Sequence, residues 1–382
     1  MVPTLRFPEF REQTGWEVEF LSNILAYERP DNFIVETETY GEEGIPVLTA
    51  NKSFILGYTR ESTGIYVNLP VIIFDDFTTD KKYVDFPFKV KSSAIKILHT
   101  KHTDILRFIY ELMNQITFEA KEHKRYYIST YQRIQVPLPK EEEQQKIADC
   151  LSSLDDLIEA TAQKVKTLKE HKKGLMQRLF PAEGKNVPDL RFLEFQGAEE
   201  WKESSLDEYF DFKQGFQCPV EEQYDKQEHG MVRFIRIIDL TQPSTPYRYI
   251  NDPGNQYYIN KENLFMVRYG DPGLVGIGYE GIIANNLFQL IPKKKINPYF
   301  FYFLFSKEKT RIKGLSSSTS LSAINFTSLK AFKIVVSQNT DEQQKIADCF
   351  SSIDELIEVI SRKVEILKEH KKGLMQQLFP KI

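Results

Sequence analysis

The chain has 382 residues, of which 41% are hydrophobic and 27% are charged, and its formal net charge is −4. This length predicts two or three domains, and the composition excludes an intrinsically disordered chain. No run of about 18 apolar residues is present to span a membrane, and the first residues lack the basic and apolar regions of a signal peptide, so we expect a cytoplasmic protein. The three cysteines and six histidines show no disulfide or metal-ligand spacing, and we expect no metal site.

A short segment at the start of the chain recurs in its middle. Residues 2–10 read VPTLRFPEF, residues 187–195 read VPDLRFLEF, and Trp16 and Trp201 follow at the same offset. This predicts two copies of one frame, each an entry segment, a globular part and a long helix, with the two chain ends close together. The predicted boundaries enclose residues 1–140 (entry segment and first globular part), 141–181 (first long helix), 182–337 (entry segment and second globular part) and 338–382 (second long helix).

The two globular parts share little sequence, but both predict a small α+β domain built on a sheet. Runs rich in Val, Ile, Phe and Tyr predict strands at residues 65–77, 83–98, 232–240 and 286–292. Apolar residues on a 3.6-residue period predict helices at residues 105–116 and 298–315.

The long helices, at residues 143–181 and 342–380, are identical at most aligned positions. Their apolar residues recur at alternating steps of four and three, which is a heptad seam, and Lys172 and Lys371 interrupt it at the same place. Each helix is about 55 Å long. The residues predicted to form the interface are Ile147, Leu151, Leu154, Ile158, Val165, Leu168 and Leu175 in the first helix, and Ile346, Phe350, Ile353, Ile357, Ile360, Val364, Leu367 and Leu374 in the second.

Charge predicts how these helices pair. In both copies the first half is acidic and the second half is basic, so a parallel pair places like charges together and an antiparallel pair places opposite charges together. We therefore predict an antiparallel coiled coil within one chain. The alternative is that each helix is an amphipathic core helix of its own domain, although globular helices average about a dozen residues.

Three sequence motifs invite a catalytic interpretation, and none supports one. The glycine-rich residues 270–279 lack the spacing of a phosphate-binding loop and favour a sheet turn. Residues 297–300 (NPYF) half resemble an adenine methyltransferase element but suit a capped helix start. Pro188, Asp189, Glu200 and Lys202 make a nuclease-like pattern that arises often by chance. We predict no catalytic residue.

Cations interleaved with Ser, Thr and Tyr lie around predicted turns in both globular parts. These are the groups that contact a DNA backbone and base edges, although for any single residue a solvated surface is the alternative. The candidate DNA-binding residues are Thr78, Thr79, Lys81, Lys82, Lys89, Lys91, Ser92, Lys124, Arg125 and Tyr126 in the first part, and Arg268, Tyr269, Arg311, Lys313, Ser316, Ser317, Ser318 and Thr319 in the second. We expect Arg268→Ala or Arg125→Ala to weaken DNA binding without affecting folding.

The start of each long helix carries a family resemblance. Residues 135–159 (QVPLPKEEEQQKIADCLSSLDDLIE) and 333–358 (KIVVSQNTDEQQKIADCFSSIDELIE) resemble the specificity subunit of type I restriction-modification enzymes, as do residues 263–277 (NLFMVRYGDPGLVGI). The second copy departs from the pattern with SQN at residues 337–339, and the family's Arg-Ser-Gly turn stands here as Arg268, Tyr269 and Gly270.

The resemblance implies two target-recognition domains, each of which reads one half of a bipartite site in double-stranded DNA. The paired helices would set the distance between the half-sites and dock two methyltransferase subunits, with restriction subunits added outside. The chain itself would be non-catalytic and hold no cofactor, because S-adenosylmethionine, Mg²⁺ and ATP would belong to the partner subunits. The alternatives are a coiled-coil adaptor that binds proteins, and a DNA methyltransferase or nuclease with its own active site.

Overall fold

The computed structural model describes residues 1–51, 53–120, 124–242, 244–316 and 323–381. The chain forms two compact units. Unit 1 contains Met1–Ala162 together with Arg362–Ile382, and unit 2 contains Gln163–Ser361. The unit boundaries therefore fall inside the two long helices, each of which contributes one half to each unit.

In its described residues, unit 1 is built on three small sheets. Its strands are β1 (Glu17–Phe20), β2 (Leu25–Glu28), β3 (Ile45–Leu48), β4 (Ile55–Thr59), β5 (Val71–Asp75), β6 (Lys81–Val84), β7 (Lys89–Val90), β8 (Ile95–Thr100) and β9 (Gln135–Leu138). They pair in the orders β2-β8-β5-β6, β4-β3-β7 and β1-β9, and only the β3–β7 pair is parallel among the described strands of this unit. Its helices are α1 (Leu21–Ile24), α2 (Leu106–Gln115), the first half of α3 (Glu141–Leu179) and the second half of α7 (Thr340–Leu378).

Unit 2 repeats this plan, except that the sheet equivalent to β4-β3-β7 has a fourth described strand. Its strands are β10 (Lys202–Ser205), β11 (Phe210–Gln214), β12 (Met231–Ile235), β13 (Arg248–Asn251), β14 (Tyr258–Ile259), β15 (Leu264–Val267), β16 (Val275–Gly276), β17 (Gly281–Ile283), β18 (Leu287–Pro292) and β19 (Lys333–Val336). They pair in the orders β11-β18-β15-β16, β13-β12-β17-β14 and β10-β19, with a parallel β12–β17 pair. Its helices are α4 (Ile237–Thr241), α5 (Pro298–Lys313), α6 (Phe326–Ala331), the first half of α7 and the second half of α3.

The repeated entry segments are fixed by the same buried ion pair in each unit. The Arg6 guanidinium donates two hydrogen bonds of 2.7 Å to the Glu143 carboxylate. Arg191 donates to Glu342 at 2.6 and 2.9 Å in the same way. Because each carboxylate lies in the first turn of a long helix, this pair ties the entry segment to that helix.

An aromatic contact completes each frame. The ring centroid of Trp16 lies 6.2 Å from that of Phe379, directly after the end of α7, and Trp201 lies 6.0 Å from Phe180, directly after the end of α3. All four side chains are at most 3% exposed. The core of each unit therefore contains an entry segment and the last residues of a long helix, which confirms the repeated frame predicted from the sequence.

The lysines that interrupt the heptad seam bind carboxylates on the facing helix. In unit 1 the Lys371 ammonium lies 2.7 Å from Asp155, and in unit 2 that of Lys172 lies 2.6 Å from Asp354. Within each unit the early half of one helix thus runs antiparallel to the late half of the other. The predicted interface residues are all buried or half-buried: Ile147, Leu151, Leu154, Ile158, Val165, Leu168, Leu175, Ile346, Phe350, Ile353, Ile357, Ile360, Val364, Leu367 and Leu374. Supercoiling of the pair stays a prediction.

Three of the predicted strands were wrong in extent. Residues 83–98 form three strands instead of one, because Pro87 has no N–H to continue the ladder after β6. Residues 232–240 change from strand to helix after Ile235, since the Asp239 carboxylate accepts the Arg236 backbone N–H at 2.7 Å and begins α4. Residues 65–77 contain only β5, which starts directly after Pro70.

The two predicted helices of the globular parts are confirmed as α2 and α5. Asn297 caps α5, with its side-chain oxygen accepting from the Phe300 N–H at 3.0 Å. The glycine-rich residues 270–279 form the β15–β16 turn and continue toward β17, as predicted. In the described part of the chain, no helix has both the length and the apolar character required to cross a membrane.

Candidate nucleic-acid interface

Three loops of unit 1 meet at one end of its largest sheet. They are residues 76–80 after β5, residues 91–94 before β8, and residues 124–130; we call them loop site 1. The Asp76 N–H donates to the Ala94 carbonyl at 2.8 Å, and the Asp76 carbonyl accepts from the Tyr126 N–H at 2.8 Å. The Asp76 carboxylate, 1% exposed, also accepts the Tyr127 N–H at 2.7 Å and pairs with Lys96 at 3.3 Å. One buried aspartate therefore joins the three loops.

Unit 2 builds the same junction around an arginine. The Arg268 N–H donates to the Asn286 carbonyl at 2.9 Å, and its own carbonyl accepts from the Ile324 N–H at 2.9 Å. These bonds join residues 268–274, 284–286 and 323–326, which we call loop site 2. Arg268 thus occupies the position of Asp76, and the two sites share a backbone frame with opposite charges at its centre.

The side chain of Arg268 is used to hold loop site 2 together. Its Nη1 donates to Gln214 Oε1 at 2.8 Å, and its Nε donates to the Ile324 carbonyl at 3.3 Å. The guanidinium also lies 4.8 Å from the centroid of the Phe326 ring. We therefore revise the expectation for Arg268→Ala, because this substitution removes contacts that order the loops as well as a cation.

The outer surface of loop site 1 carries the predicted cations and hydroxyls. Thr78, Lys91, Ser92, Lys124 and Arg125 are all exposed. The Arg125 guanidinium lies 3.5 Å from the Ser93 hydroxyl and 5.9 Å from the centroid of the Phe77 ring. Exposed cations beside hydroxyls are suited to phosphate oxygens, and the planar guanidinium is also suited to a base edge.

Loop site 2 presents amides and a phenol in place of lysines. The Tyr269 hydroxyl donates to Asn285 Oδ1 at 3.2 Å, and the Gln214 amide donates to the Asn285 carbonyl. All three side chains are half-buried. Asn and Gln amides are groups that pair with adenine edges, so this surface suits base contacts better than phosphate neutralisation.

Three predicted residues of unit 1 are buried or half-buried. Lys89 is 2% exposed, and its ammonium pairs with Glu61 at 2.7 Å, so we remove it from the candidate contacts. Thr79 is 7% exposed and adopts a left-handed backbone conformation (φ 61°) in the turn after β5. The Lys81 ammonium lies 3.3 Å from the Tyr131 hydroxyl, and burial lowers the pKa of Lys81 to about 8.

The other predicted residues are distributed between the loop sites and the rest of each unit. Lys82 lines a cavity beside α2 with Tyr83 and Arg107. Arg311 pairs with Glu308 at 2.5 Å. The remaining placements are as follows: Lys313 is exposed in the last turn of α5, Ser316 is half-buried and bridges to Ile324, and Tyr126 is 4% exposed within loop site 1. Ser317, Ser318 and Thr319 lie outside the described residues.

Sequence reasoning missed the residues at the centre of each site. Asp76 was assigned to a strand, and Gln214 and Asn285 were not singled out. The adjacent Asn285 and Asn286 between two apolar runs are a turn signal that identifies the tip of loop site 2. Among the described residues, no cluster of three or more His, Cys, Asp or Glu side chains is arranged to hold a metal ion.

Comparison with known proteins decides the family. The model of the type I restriction modification DNA specificity domain matches residues 13–170 and residues 198–369. The chain belongs to this family. It carries the domain twice, in the two copies of the frame described above, and it is therefore a type I restriction-modification specificity subunit with two DNA-recognition domains.

Named relatives cover nearly the whole chain. The type I restriction enzyme EcoR124I/EcoR124II specificity subunit of Escherichia coli is 29% identical over 96% of this chain and 95% of its own length. The MjaVIII specificity subunit of Methanocaldococcus jannaschii is 24% identical over 98% of this chain and 93% of its own length.

Two solved structures share the fold. The S subunit of a type I restriction-modification system from M. genitalium aligns over all of both chains with a TM-score of 0.69 at 16% identity. A chain from a study of complex assembly and conformational transition in the type I system aligns over 98% of both chains, with a TM-score of 0.56 at 15% identity.

Proposed function

We propose that this specificity subunit reads a bipartite site in double-stranded DNA, with loop site 1 facing one half-site and loop site 2 facing the other. The observation that carries the proposal is the pair of loop sites, which share one backbone frame but differ in side chains. Unit 1 presents exposed cations and hydroxyls, whereas unit 2 presents amides, a phenol and an arginine. Two loop sites that carry different side chains on equivalent backbone frames recognise two different half-site sequences, so the full site is asymmetric.

The long helices are proposed to set the spacing of the half-sites and to dock two methyltransferase subunits. Leu157 and Leu356 occupy equivalent positions on α3 and α7 and are 45% and 43% exposed. Val359 and Ile366 on α7 are more exposed still. Leucines exposed at the same place in each copy provide two equivalent apolar contacts, as two copies of one partner require.

Catalysis is assigned to the partners. We propose that this chain supplies no catalytic group and holds no cofactor, so that S-adenosylmethionine serves the methyltransferase subunits and ATP and Mg²⁺ serve the restriction subunits. The contribution of this chain is then the free energy difference between its target and other sequences, which base contacts provide.

Methylome sequencing tests the proposal. Cells that express this chain with its cognate methyltransferase subunit are compared with cells that express the methyltransferase alone. The expected result is methylated adenine at one asymmetric bipartite motif, present only when the chain is expressed. A well-expressed complex that leaves the methylome unchanged would overturn the proposal and favour a protein adaptor.

A further inference from the structure

Arg233, in the middle of β12, has an environment unlike that of the other arginines described above. Its guanidinium carbon lies 3.7 Å from the centroid of the Tyr247 ring and 5.4 Å from that of Tyr279. Burial raises the pKa of Tyr279, and the positive charge of Arg233 opposes that shift. The guanidinium is thus held by aromatic rings instead of by a carboxylate.

No polar group of the described part of the chain neutralises this cation. Its Nε is buried and has no hydrogen-bond partner, and within the residues that the structure describes no hydrogen bond or ion pair involves its guanidinium. The Asp239 carboxylate of the neighbouring α4 is occupied by Arg236, which donates to it from its backbone N–H at 2.7 Å and from its side chain at 3.1 and 3.3 Å. A half-buried arginine without an acceptor is costly unless a ligand supplies one.

The fold fixes the position of Arg233 tightly. Phe234 is buried on the opposite face of the strand, so Arg233 and Ile235 share the face on which Tyr279 packs. Gly281 of β17 lies against Arg233: a Cβ at position 281 would lie 2.3 Å from the Arg233 carbonyl oxygen, and φ of Gly281 is 139°. The close strand thus fixes the backbone at Arg233, and the two rings hold its guanidinium.

We propose that Arg233 reads a guanine in the half-site recognised by unit 2. This inference rests on the proposed function and names a base contact within it. A planar guanidinium offers two parallel N–H donors, and the O6 and N7 atoms of guanine in the major groove are the matching pair of acceptors. Because the rings already order the side chain, it loses little additional conformational entropy when it binds the base.

The contact belongs to one half-site only. In unit 1 the parallel β3–β7 pair corresponds to β12–β17, with Val47 paired to Lys89 as Phe234 is paired to Ile282. The residue before Val47, equivalent to Arg233, is Pro46, which has no polar side chain. The inferred guanine therefore lies in the half-site of unit 2, and unit 1 reads its own half-site without an equivalent contact.

The test is methylome sequencing of cells that express the full chain, carrying Arg233→Gln or Arg233→Lys, with the cognate methyltransferase subunit. The expected result for both variants is that one G·C position in one half-site loses discrimination by about 10- to 100-fold, while the other half-site is unchanged. Arg233→Lys keeps the charge but not the paired donors, so it also separates base reading from phosphate attraction. Arg248→Gln on the adjacent β13, where Arg248 pairs with Asp225, is the matched control and should leave the motif unchanged.

Two results would overturn the inference. Weaker methylation at an unchanged motif would make Arg233 a phosphate contact, and an unchanged methylome would make it a structural residue. A wild-type complex that methylates no bipartite motif would instead overturn the proposed function, so the two failures are distinguishable. Thermal melting of the purified variants confirms folding. If Arg233→Gln melts at a lower temperature than the wild type, Arg233→Lys still tests the inference, because it keeps a cation against the two rings.

Discussion

The two buried carboxylates at the starts of the long helices allow a comparison within one molecule. Among the described residues, Glu143 accepts side-chain hydrogen bonds from Arg6 alone, and the Nε1 of the neighbouring Trp16 is buried without a partner. Glu342 accepts from Arg191 and also from Trp201 Nε1 at 3.1 Å and Ser337 Oγ at 2.6 Å. We predict that Glu342→Ala destabilises unit 2 more than Glu143→Ala destabilises unit 1.

The magnitude follows from the burial of these groups. Removing one partner of a buried ion pair costs about 3–5 kcal/mol of unfolding free energy, because the remaining charge is left uncompensated. Each further hydrogen bond to a charged group contributes about 1.5–3 kcal/mol. These terms are not fully additive, so we expect Glu342→Ala to cost about 2–4 kcal/mol more than Glu143→Ala. A domain is stable by only about 5–15 kcal/mol, so this loss brings unit 2 close to unfolding.

The assay uses the two tryptophans of the chain, Trp16 in unit 1 and Trp201 in unit 2. Urea unfolding followed by tryptophan fluorescence reports unit 1 in a Trp201→Phe background and unit 2 in a Trp16→Phe background. Each glutamate variant is compared with the same background carrying the native glutamate. An equal or larger loss for Glu143→Ala would refute the assignment of the extra bonds to Glu342.

Three further predictions concern single charges. Because burial lowers the pKa of Lys81 from 10.5 to about 8, the unfolded chain binds more protons than the folded chain between these pH values. The free energy of unfolding therefore rises with pH through this window, and Lys81→Met should abolish the rise in urea titrations at several pH values. Asp155→Lys should lower the melting temperature because it places a second positive charge beside Lys371, whereas Asp156→Lys on the exposed face of α3 should leave the melting temperature unchanged. Equal effects of the two substitutions would contradict the ion pair between Asp155 and Lys371. Arg125→Ala should reduce DNA retention and the steepness of its salt dependence with unchanged melting, and unchanged retention would remove loop site 1 from the interface.

The long helices were the part of the fold most accessible from sequence, because a heptad pattern is local and repeats. The same pattern marked Lys172 and Lys371 as interruptions, and the charge gradient predicted the antiparallel course that joins them to Asp354 and Asp155. The family was also predicted from these helices, since their starts and lead-in segments, residues 135–159 and 333–358, resemble those of the specificity subunits.

The loop sites were only partly accessible from sequence. Composition selected the exposed Lys91, Ser92 and Arg125 correctly as surface groups, but it selected the buried Lys89 on the same grounds. Its partner Glu61 lies on a different segment, and nothing local in the sequence predicts that ion pair. Asp76 was missed for the same reason, because its importance comes from hydrogen bonds to two loops that only the folded chain brings beside it.

The composition of unit 1 has a consequence for how the protein is made. Its core includes Leu378 and Phe379, which are synthesised after all of unit 2, whereas unit 2 is a continuous stretch, Gln163–Ser361. During synthesis the sequence of unit 2 is complete before the second half of α7, which belongs to unit 1, has been made, although unit 1 begins first. A nascent unit 1 that lacks the last turns of α7 leaves exposed the apolar residues that pack against Leu378 and Phe379, and such exposed surface is prone to aggregation.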